Sequence, residues 1–272
     1  MKTKRTQTLL AAALVAALAF TATTARAEES EEALAKATQN PIAALISLPL
    51  QYNYDRNIGP QETGHKSYLN IQPVIPFSLN ENWNLISRTI LPVISQQDVV
   101  AGAGTQSGIG DITQSLFFSP KKPTAGGLIW GVGPVFLLPT ASKDQLGGEK
   151  WGLGPTVVLL KQESGWTYGM LANQIWSVAG TANRADISST FLQPFLSYTT
   201  KSFTTYGLNT ESTYNWEAKN WSVPLNLTVT QLLKVGQQRL TLQGGVRYWA
   251  DSPDSGAHGW GARVTVTFLF PK

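Results

Sequence analysis

The sequence predicts an all-β fold, a transmembrane antiparallel β-barrel of about twelve strands. Charged residues make up only 14% of the chain, which also contains 9 Trp and 24 Gly, whereas a typical globular protein has about 25% charged residues. After the first 27 residues, no apolar run is long enough to cross a bilayer as a helix. Instead, apolar and polar residues alternate in segment after segment, which is typical of strands that face lipid on one side and a polar interior on the other.

Residues 1–27 have the features of a secretory signal peptide. A short basic region precedes an apolar run at residues 9–20, and Ala25-Arg26-Ala27 provides small residues at a cleavage point. The apolar run is too short to anchor the chain as a membrane helix. We therefore expect export and cleavage after Ala27.

Removal of that segment changes the charge of the chain. Residues 1–27 contain four of the 21 Lys and Arg residues and none of the 17 Asp and Glu residues, so 17 of each sign remain. A nucleic-acid partner would require a basic patch, and none is expected. The chain has no Cys, so the fold is expected to hold without disulfides.

Residues 28–44 differ from the rest of the chain and predict a short helical arm. Ser30 can cap a helix, Glu31 and Glu32 suit its first turn, and Pro41 would end it. The segment is either a partly ordered periplasmic arm, which we favour, or a small insert in the mouth of the barrel. Residues 45–272 form the predicted barrel domain.

Twelve alternating segments are predicted within residues 45–272, although the pattern also allows ten or fourteen strands. They lie at 47–57, 66–79, 83–96, 108–119, 127–140, 150–162, 165–179, 186–200, 203–216, 220–232, 237–250 and 258–270. Short connections mostly alternate with longer polar ones, as in an even-stranded barrel with its N-terminus on the periplasmic side. Nine prolines lie inside these segments, where they remove ladder donors, so bulges, irregular strand ends or water-filled gaps are expected.

Aromatic residues lie near both ends of the predicted strands, where the lipid–water boundaries would be. Rings with polar handles prefer this boundary, whereas a soluble β-sandwich would scatter them through its core. The outer girdle comprises Tyr52, Tyr54, Trp151, Trp176, Trp216, Trp221 and Trp260, and the inner girdle includes Trp83 and Trp166.

Several segments resemble a known outer-membrane family. They are residues 70–77, 83–94, 108–112, 117–122, 130–140 and 268–272. They are similar to the family labelled "MetA-pathway of phenol degradation", a group of transporter-like barrels often misnamed neuromedin U. The resemblance runs over most of residues 45–272. It implies a barrel that passes small, including aromatic, compounds, and it implies no catalytic residues.

The inward phase of the strands carries polar and charged side chains that either pair with one another to plug the barrel or line a pore. They are Asp55, Asn70, Gln72, Arg88, Asp111, Asn173, Gln193, Asn209, Glu211, Asn226, Gln243, Arg247 and Arg263. Charged side chains inside a membrane-spanning barrel must be paired with opposite charges or solvated by water. Strand order suggests a basic wall of Arg88, Arg247 and Arg263 that faces a more acidic wall. The two walls would create an electric field across the pore with little net charge, and the pore would therefore have weak ion selectivity.

The two histidines are the only candidates for chemistry. His65 and Ser67 share a strand face, as in a barrel-embedded hydrolase, but no third group can be assigned from spacing to orient the imidazole. His258 lies near Asp251 and Asp254, without a second histidine that would support a zinc site. No cofactor and no metal are expected.

These observations predict a channel or transporter for small solutes, with aromatic or amphiphilic ones as candidates. Its partners would be outer-membrane lipid and a small-molecule solute, and its location the outer membrane of a Gram-negative-type bacterium. The alternatives are a hydrolase that uses His65 and Ser67, and a closed structural or adhesive barrel. The sequence contains no signal for the oligomeric state.

We predict no detectable lipid or ester hydrolysis by the purified wild-type barrel, because the orienting partner that a His–Ser pair needs cannot be assigned from spacing and would have to be an Asn or Asp of a neighbouring strand. An esterase and phospholipase assay measures this. Robust turnover that is lost in the His65→Ala variant would contradict the prediction and favour the hydrolase.

Overall fold

The alternating segments form the strands of a closed antiparallel barrel in the computed structural model, which describes residues 31–100, 102 and 104–271. The predicted signal segment, its cleavage point and the Ser30 cap lie outside the described residues. The strands are β1 (Ile46–Ile58), β2 (Gly64–Ile71), β3 (Val74–Ser78), β4 (Trp83–Gln97), β5 (Thr105–Ile109), β6 (Ile112–Pro120), β7 (Ile129–Leu138), β8 (Lys150–Glu163), β9 (Trp166–Gly180), β10 (Ser188–Thr199), β11 (Thr204–Thr210), β12 (Ser212–Asn215), β13 (Asn220–Val235), β14 (Gln238–Asp251) and β15 (Gly259–Phe270).

Three of the spanning strands are interrupted, so the fifteen β segments correspond to the predicted twelve spanning strands. The pairs β2/β3, β5/β6 and β11/β12 each continue along the same neighbouring strand. The barrel closes where β1 pairs with β15, with Ile46 opposite Phe270 and Tyr54 opposite Ala262. The prediction of an antiparallel barrel of twelve spanning strands is confirmed.

The two rims of the barrel differ in their connections. The start of β1 and the end of β15 lie at one rim, which we call the terminal end. The opposite rim, the loop end, carries the longer connections at 59–63, 98–104, 139–149, 181–187 and 252–258. The terminal end has short turns such as 164–165 and 236–237, with 121–128 as a longer exception.

Strand β13 shows how the alternation separates lipid from interior. Leu225, Leu227 and Val229 are exposed on the outside, at 42%, 57% and 46%, whereas Asn226 and Thr228 between them are buried inside at 0% and 4%. The same reversal of a soluble protein's pattern recurs around the barrel. Outward apolar side chains of this kind are stable only against lipid.

The segment that precedes β1 lies in the mouth of the barrel. Residues 31–37 are helical, and Ala35 and Leu45 pack against Leu232 and Leu269 at the terminal end. An ion pair of 2.5 Å joins the helix to the wall, between Glu31 Oε1 and Arg239 Nη2. In the described residues this segment is an insert in the mouth of the barrel, the second of the two alternatives, and not the partly ordered periplasmic arm that the sequence favoured. Among the described residues, no helix is long and apolar enough to span a membrane.

Prolines account for all three strand interruptions. Pro73 lies in the break between β2 and β3, close to Pro49 of β1, whose carbonyl accepts a hydrogen bond from Gln72 N at 2.9 Å. The carbonyl of Pro92 likewise accepts from Gly110 N, at the break between β5 and β6. Because proline has no N–H, it cannot complete the ladder in a sheet that has no free edge. The predicted irregularities are confirmed at these positions.

The third break has a proline on each side. It lies at Glu211 between β11 and β12, where Pro194 of β10 and Pro224 of β13 flank it. The carbonyl of Pro224 accepts a hydrogen bond from Glu211 N at 3.4 Å. As a result, an acidic side chain leaves the wall at a point where the regular pairing with both neighbouring strands is interrupted.

A further pair of prolines meets within the sheet. Pro134 of β7 lies directly opposite Pro155 of β8, and the pairing of each strand with its other neighbour is interrupted beside its proline. The preceding residues, Gly133 and Gly154, approach the carbonyl oxygens of Leu116 and Gln174 so closely that a β-carbon would clash with them. Glycine is required here because the neighbouring atom is backbone and cannot rotate away.

We predict that Gly154→Ala destabilises the folded barrel by about 1–3 kcal/mol, because the strand must shift away from Gln174 O. Gly244→Ala is the matched control on β14, where an added β-carbon meets nothing within 4 Å, and it should change stability by less than about 0.5 kcal/mol. Urea unfolding followed by tryptophan fluorescence measures both. Equal stabilities of the two variants would contradict the close approach.

Candidate functional site

Arg263 of β15 forms three hydrogen bonds inside the barrel. Its Nη1 and Nη2 donate to the two carboxylate oxygens of Glu211 at 2.8 and 2.7 Å, and its Nε donates to Asn53 Oδ1 at 2.7 Å. A bidentate arginine–carboxylate pair of this kind is a strong, charge-assisted interaction. Two intervening strands, β13 and β14, separate Arg263 from Glu211 along the sheet. The pair thus joins strands that do not touch.

Arg247 of β14 extends this network toward the loop end. It donates to the Tyr68 hydroxyl and, at 3.3 Å, to Asn53 Oδ1, and its guanidinium lies 4.8 Å from the Trp249 ring centroid. Its Nη2 is 3.6 Å from Glu211 Oε2. Its buried Nε has no hydrogen-bond partner among the described residues, although it lies 3.7 Å from Asp55 Oδ1. That Asp55 oxygen accepts instead from Trp249 Nε1 at 3.0 Å.

These contacts correct the hypothesis of two opposed charged walls. Arg247 and Arg263 both lie against Glu211, and Arg247 also lies near Asp55, so the charges are interlocked. We call Asp55, Glu211, Arg247 and Arg263 the charged cluster. The sequence interpretation overlooked four side chains around it, namely Asn53, Lys66, Tyr68 and Trp249. Each has the same strand phase as a predicted interior residue two positions away, or four positions away for Lys66, and that signal could have found them.

Arg88 of β4 lies apart from the charged cluster's close contacts. Its Nη2 donates to Gln72 Oε1 at 3.1 Å, a neutral partner. Among the described residues, no carboxylate oxygen lies within the 4.0 Å that defines an ion pair with Arg88. Arg88 also lines three interior cavities, and its guanidinium forms no second hydrogen bond with the described residues.

The neutral residues predicted to line the interior form hydrogen bonds with neighbouring strands or border the cavities. Asn226 donates to Asn209 at 2.9 Å, Gln243 donates to Thr230 at 2.9 Å, and Asn70 lies 3.4 Å from Gln51. Asn173 and Gln193 line a cavity at mid-height in the barrel. None of these residues carries a charge. They therefore shape the interior and make it polar, but they do not determine the sign of its net charge.

Asp111 belongs to a different structure from the one predicted. Its carboxylate accepts hydrogen bonds from the backbone N–H groups of Ala141 and Gly148, at 3.1 and 2.6 Å. It therefore orders the loop 139–149 at the loop end and forms no contact with the charged cluster. The physical reason is the break beside Pro92, which turns Asp111 out of the regular strand and toward the free amides of the loop.

The loop 139–149 also packs against the loop 181–187. Arg184 donates to the carbonyls of Asp144 and Gly147 and pairs with Glu149 at 3.5 Å. Lys150 donates to Asp186 at 3.1 Å. This bond and a second one from the Ser177 hydroxyl hold the pKa of the Asp186 carboxyl below its usual value.

One side of the interior is apolar, which the sequence interpretation did not predict. Ile86, Phe117, Val158, Leu160 and Leu171 are almost fully buried and form one cluster with Ile42 of the N-terminal segment. Gly131 makes room for that contact, since a β-carbon there would lie 3.2 Å from Ile42 Cδ1. Alternation could have placed Ile86 inside, because it shares its phase with Arg88.

Cavities lie inside the described part of the barrel, and three of them are lined by Arg88. The largest of these three, the mid-barrel cavity, has a volume of about 310 Å³. Two cavities of about 200 Å³ each lie toward the terminal end, beside residues 37–43. The mid-barrel cavity is lined by Gln51, Asn70, Gln72, Arg88, Ile90, Thr113, Ser115, Asn173, Ile175, Ser189, Phe191, Gln193, Glu211 and Thr213. The interior is thus not completely filled.

The predicted girdle residues lie mostly on the outer surface. Tyr52, Trp151, Trp166, Trp176, Trp216, Trp221 and Trp260 are among the exposed large side chains, while Tyr54 and Trp83 are partly exposed. Several of these rings pack in pairs, such as Trp83 with Trp130, edge to face at 5.7 Å, and Trp166 with Tyr198, tilted at 4.9 Å between centroids. Paired rings near both strand ends fit a lipid boundary at each rim.

His65 and Ser67 are not joined by a hydrogen bond within the described part of the chain. Ser67 Oγ accepts from the Tyr52 hydroxyl at 3.1 Å, and the His65 ring lies 6.3 Å from the Tyr54 ring. His258 is held by its backbone N–H, which donates to carbonyls of β1. The described residues contain no group of three or more His, Asp or Glu side chains arranged to hold a metal ion.

Comparison with known proteins identifies the fold. No protein-family model matches the chain, and no curated protein matches it in sequence. The chain is similar to the crystal structure of an outer-membrane channel from Pseudomonas putida F1, with a TM-score of 0.64 and 13% sequence identity over 84% of this chain and 96% of that one. At this identity the similarity shows the fold alone, which is that of Gram-negative outer-membrane barrels.

Two weaker similarities involve barrels with different roles. One is a KdgM porin solved with oligogalacturonate, with a TM-score of 0.44 and 13% identity over 83% of this chain and 99% of that chain. The other is outer membrane phospholipase A from Escherichia coli, with a TM-score of 0.47 and 12% identity over 85% of this chain and 91% of that one. Neither bears on the function of this chain.

We predict that Arg263→Gln destabilises the barrel by about 3 kcal/mol or more, since it leaves the carboxylate of Glu211 without its bidentate partner. Arg184→Gln is the control, because its ion pair in the loops is partly exposed and should contribute less than about 1 kcal/mol. Urea unfolding midpoints compare the two variants. If Arg263→Gln matched the control, Arg263 would be a wet pore charge, as the opposed-wall hypothesis assumed.

Proposed function

We propose that the protein is an outer-membrane channel or transporter for small solutes, with amphiphilic or aromatic compounds as its substrate class. The observation that carries this proposal is the mid-barrel cavity, which lies between the charged cluster and the apolar side of the interior. Its volume of about 310 Å³ is at the lower end of the range of about 300–1,000 Å³ that holds small ligands. The solutes would therefore be small.

A route toward the terminal end supports the same proposal. Arg88 and Gln72 line both the mid-barrel cavity and one of the terminal cavities, and Arg88 and Gln193 line both the mid-barrel cavity and the other. Residues 38–41 lie between the two terminal cavities. Solutes would pass on either side of this segment, which narrows the path without filling it.

We also propose a family and an export route for the chain. Membership of the phenol-degradation transporter family rests on the sequence resemblance. Export with cleavage after Ala27 rests on the features of residues 1–27. We also propose no hydrolase role, because His65 and Ser67 share no hydrogen bond and Ser67 Oγ accepts instead from Tyr52.

We expect liposomes that contain the purified protein to swell in L-arabinose faster than protein-free liposomes. Gln193→Trp should slow this swelling several-fold, because an indole there would occupy the mid-barrel cavity and narrow the path. The matched control is Met170→Trp, since Met170 lies on the neighbouring strand β9 and is 41% exposed on the lipid side. It should leave the rate unchanged.

Both variants are first checked for heat-modifiable migration on gels, so that only folded barrels are compared. Swelling no faster than in protein-free liposomes would overturn the channel and favour a closed structural barrel. Equal slowing by both substitutions would place the route outside the mid-barrel cavity.

A further inference from the structure

We propose that the mid-barrel cavity is a binding site for small carboxylates with an apolar body, and that Arg88 is the residue that binds the carboxylate. The proposal rests on the proposed channel function and names the substrate class of the same interior. Two features of the interior support it: the partners of its positively charged side chains, and the residues that line the cavity.

Arg88 differs from the other interior arginines in its partners. Arg263 uses all three of its nitrogens on acceptors, and Arg247 lies near two carboxylates. Arg88 has one hydrogen bond to a neutral amide, from Nη2 to Gln72 Oε1. A guanidinium has five N–H donors in a planar fork that matches a carboxylate. Four donors of Arg88 are thus available to a ligand in the cavities that it lines.

The carboxylate that shares the cavity with Arg88 is already engaged. Glu211 lines the mid-barrel cavity, but both of its oxygens accept hydrogen bonds from Arg263, and Arg247 lies 3.6 Å away. Its negative charge is therefore balanced from the side opposite the cavity. A ligand in the cavity meets an available positive group and a neutralised negative one.

The charge balance of the surroundings has the same sign. The charged cluster and its neighbours Lys66 and Arg88 contribute four basic side chains against the two carboxylates of Asp55 and Glu211. An uncompensated charge enclosed by protein is unfavourable, and a bound anion offsets it. This excess also differs from the field with little net sign that the sequence predicted.

The lining of the cavity indicates what the rest of the ligand is. Ile90, Ile175 and Phe191 contribute an apolar surface, while Gln72 and Gln193 lie beside Arg88. An inorganic anion would leave that apolar surface without a contact, and a neutral hydrocarbon would leave the guanidinium without one. A carboxylate on a ring or short alkyl chain satisfies both, within about 310 Å³.

The test is isothermal titration of the full-length protein in detergent with benzoate, with benzyl alcohol as the neutral analogue and acetate as the analogue without an apolar body. We expect benzoate to bind most tightly. Arg88→Gln should weaken benzoate binding by about tenfold or more, since a hydrogen bond to a charged group contributes at least that ratio. Arg88→Lys keeps the charge and should retain part of the affinity.

Arg184→Gln is the matched control, since Arg184 lies in the loop 181–187 and lines none of the three cavities. It should bind benzoate as the wild type does. Equal benzoate affinity of wild type and Arg88→Gln would overturn the proposal, as would benzyl alcohol binding as tightly as benzoate. If Arg88→Gln does not fold, the wild-type comparison of benzoate with benzyl alcohol and acetate still decides.

Arabinose swelling of liposomes, measured on the same preparations, distinguishes the two proposals. Swelling without benzoate binding would support the channel function and reject the carboxylate site. Benzoate binding that depends on Arg88, without swelling, would support the site and reject the channel.

Discussion

The constraint on which the rest of the structure depends is the need to satisfy every backbone hydrogen bond in a closed sheet surrounded by lipid. Prolines violate it at fixed places, and the sheet responds by interrupting β2/β3, β5/β6 and β11/β12. Two of these breaks present Gln72 and Glu211 to the interior. The third releases Asp111 to the loop 139–149. The positions of key polar groups therefore follow from where the ladder fails.

Electrostatics inside the barrel follows from the same geometry. Because Glu211 leaves the wall at an open point of the ladder, it meets Arg263 across the interior, with β13 and β14 between their strands. Burial makes this contact unfavourable to break. Arg88 lies farther along the interior, beyond the reach of an ion pair with either carboxylate. The barrel thus contains a charged pair, Glu211 and Arg263, that connects its walls, and a further charged residue, Arg88, that remains available to a ligand.

Much of the fold was predictable because strand alternation is a local property. The phase of β13 could be read from Leu225, Asn226 and Leu227 alone. The partner of Arg263 could not be read, because it depends on the diameter of the barrel and on which strands face each other. The entry of residues 31–45 was equally hidden, since Ile42 finds its neighbours on β4, β6, β8 and β9 only after the barrel has closed. Long-range contacts of this kind leave no period in the sequence.

The N-terminal segment has a mechanical consequence beyond narrowing the path. Glu31 is tied to Arg239 of β14, and the carbonyl of Lys36 accepts a hydrogen bond from Gln162 of β8 at 2.8 Å. Its Ile42 packs against the apolar side of the interior. A packed protein interior has low compressibility. The segment therefore connects β14 and β8, two strands that are not hydrogen-bonded to each other, from inside the barrel. By this connection it keeps the cross-section of the barrel from flattening under the lateral pressure of the bilayer.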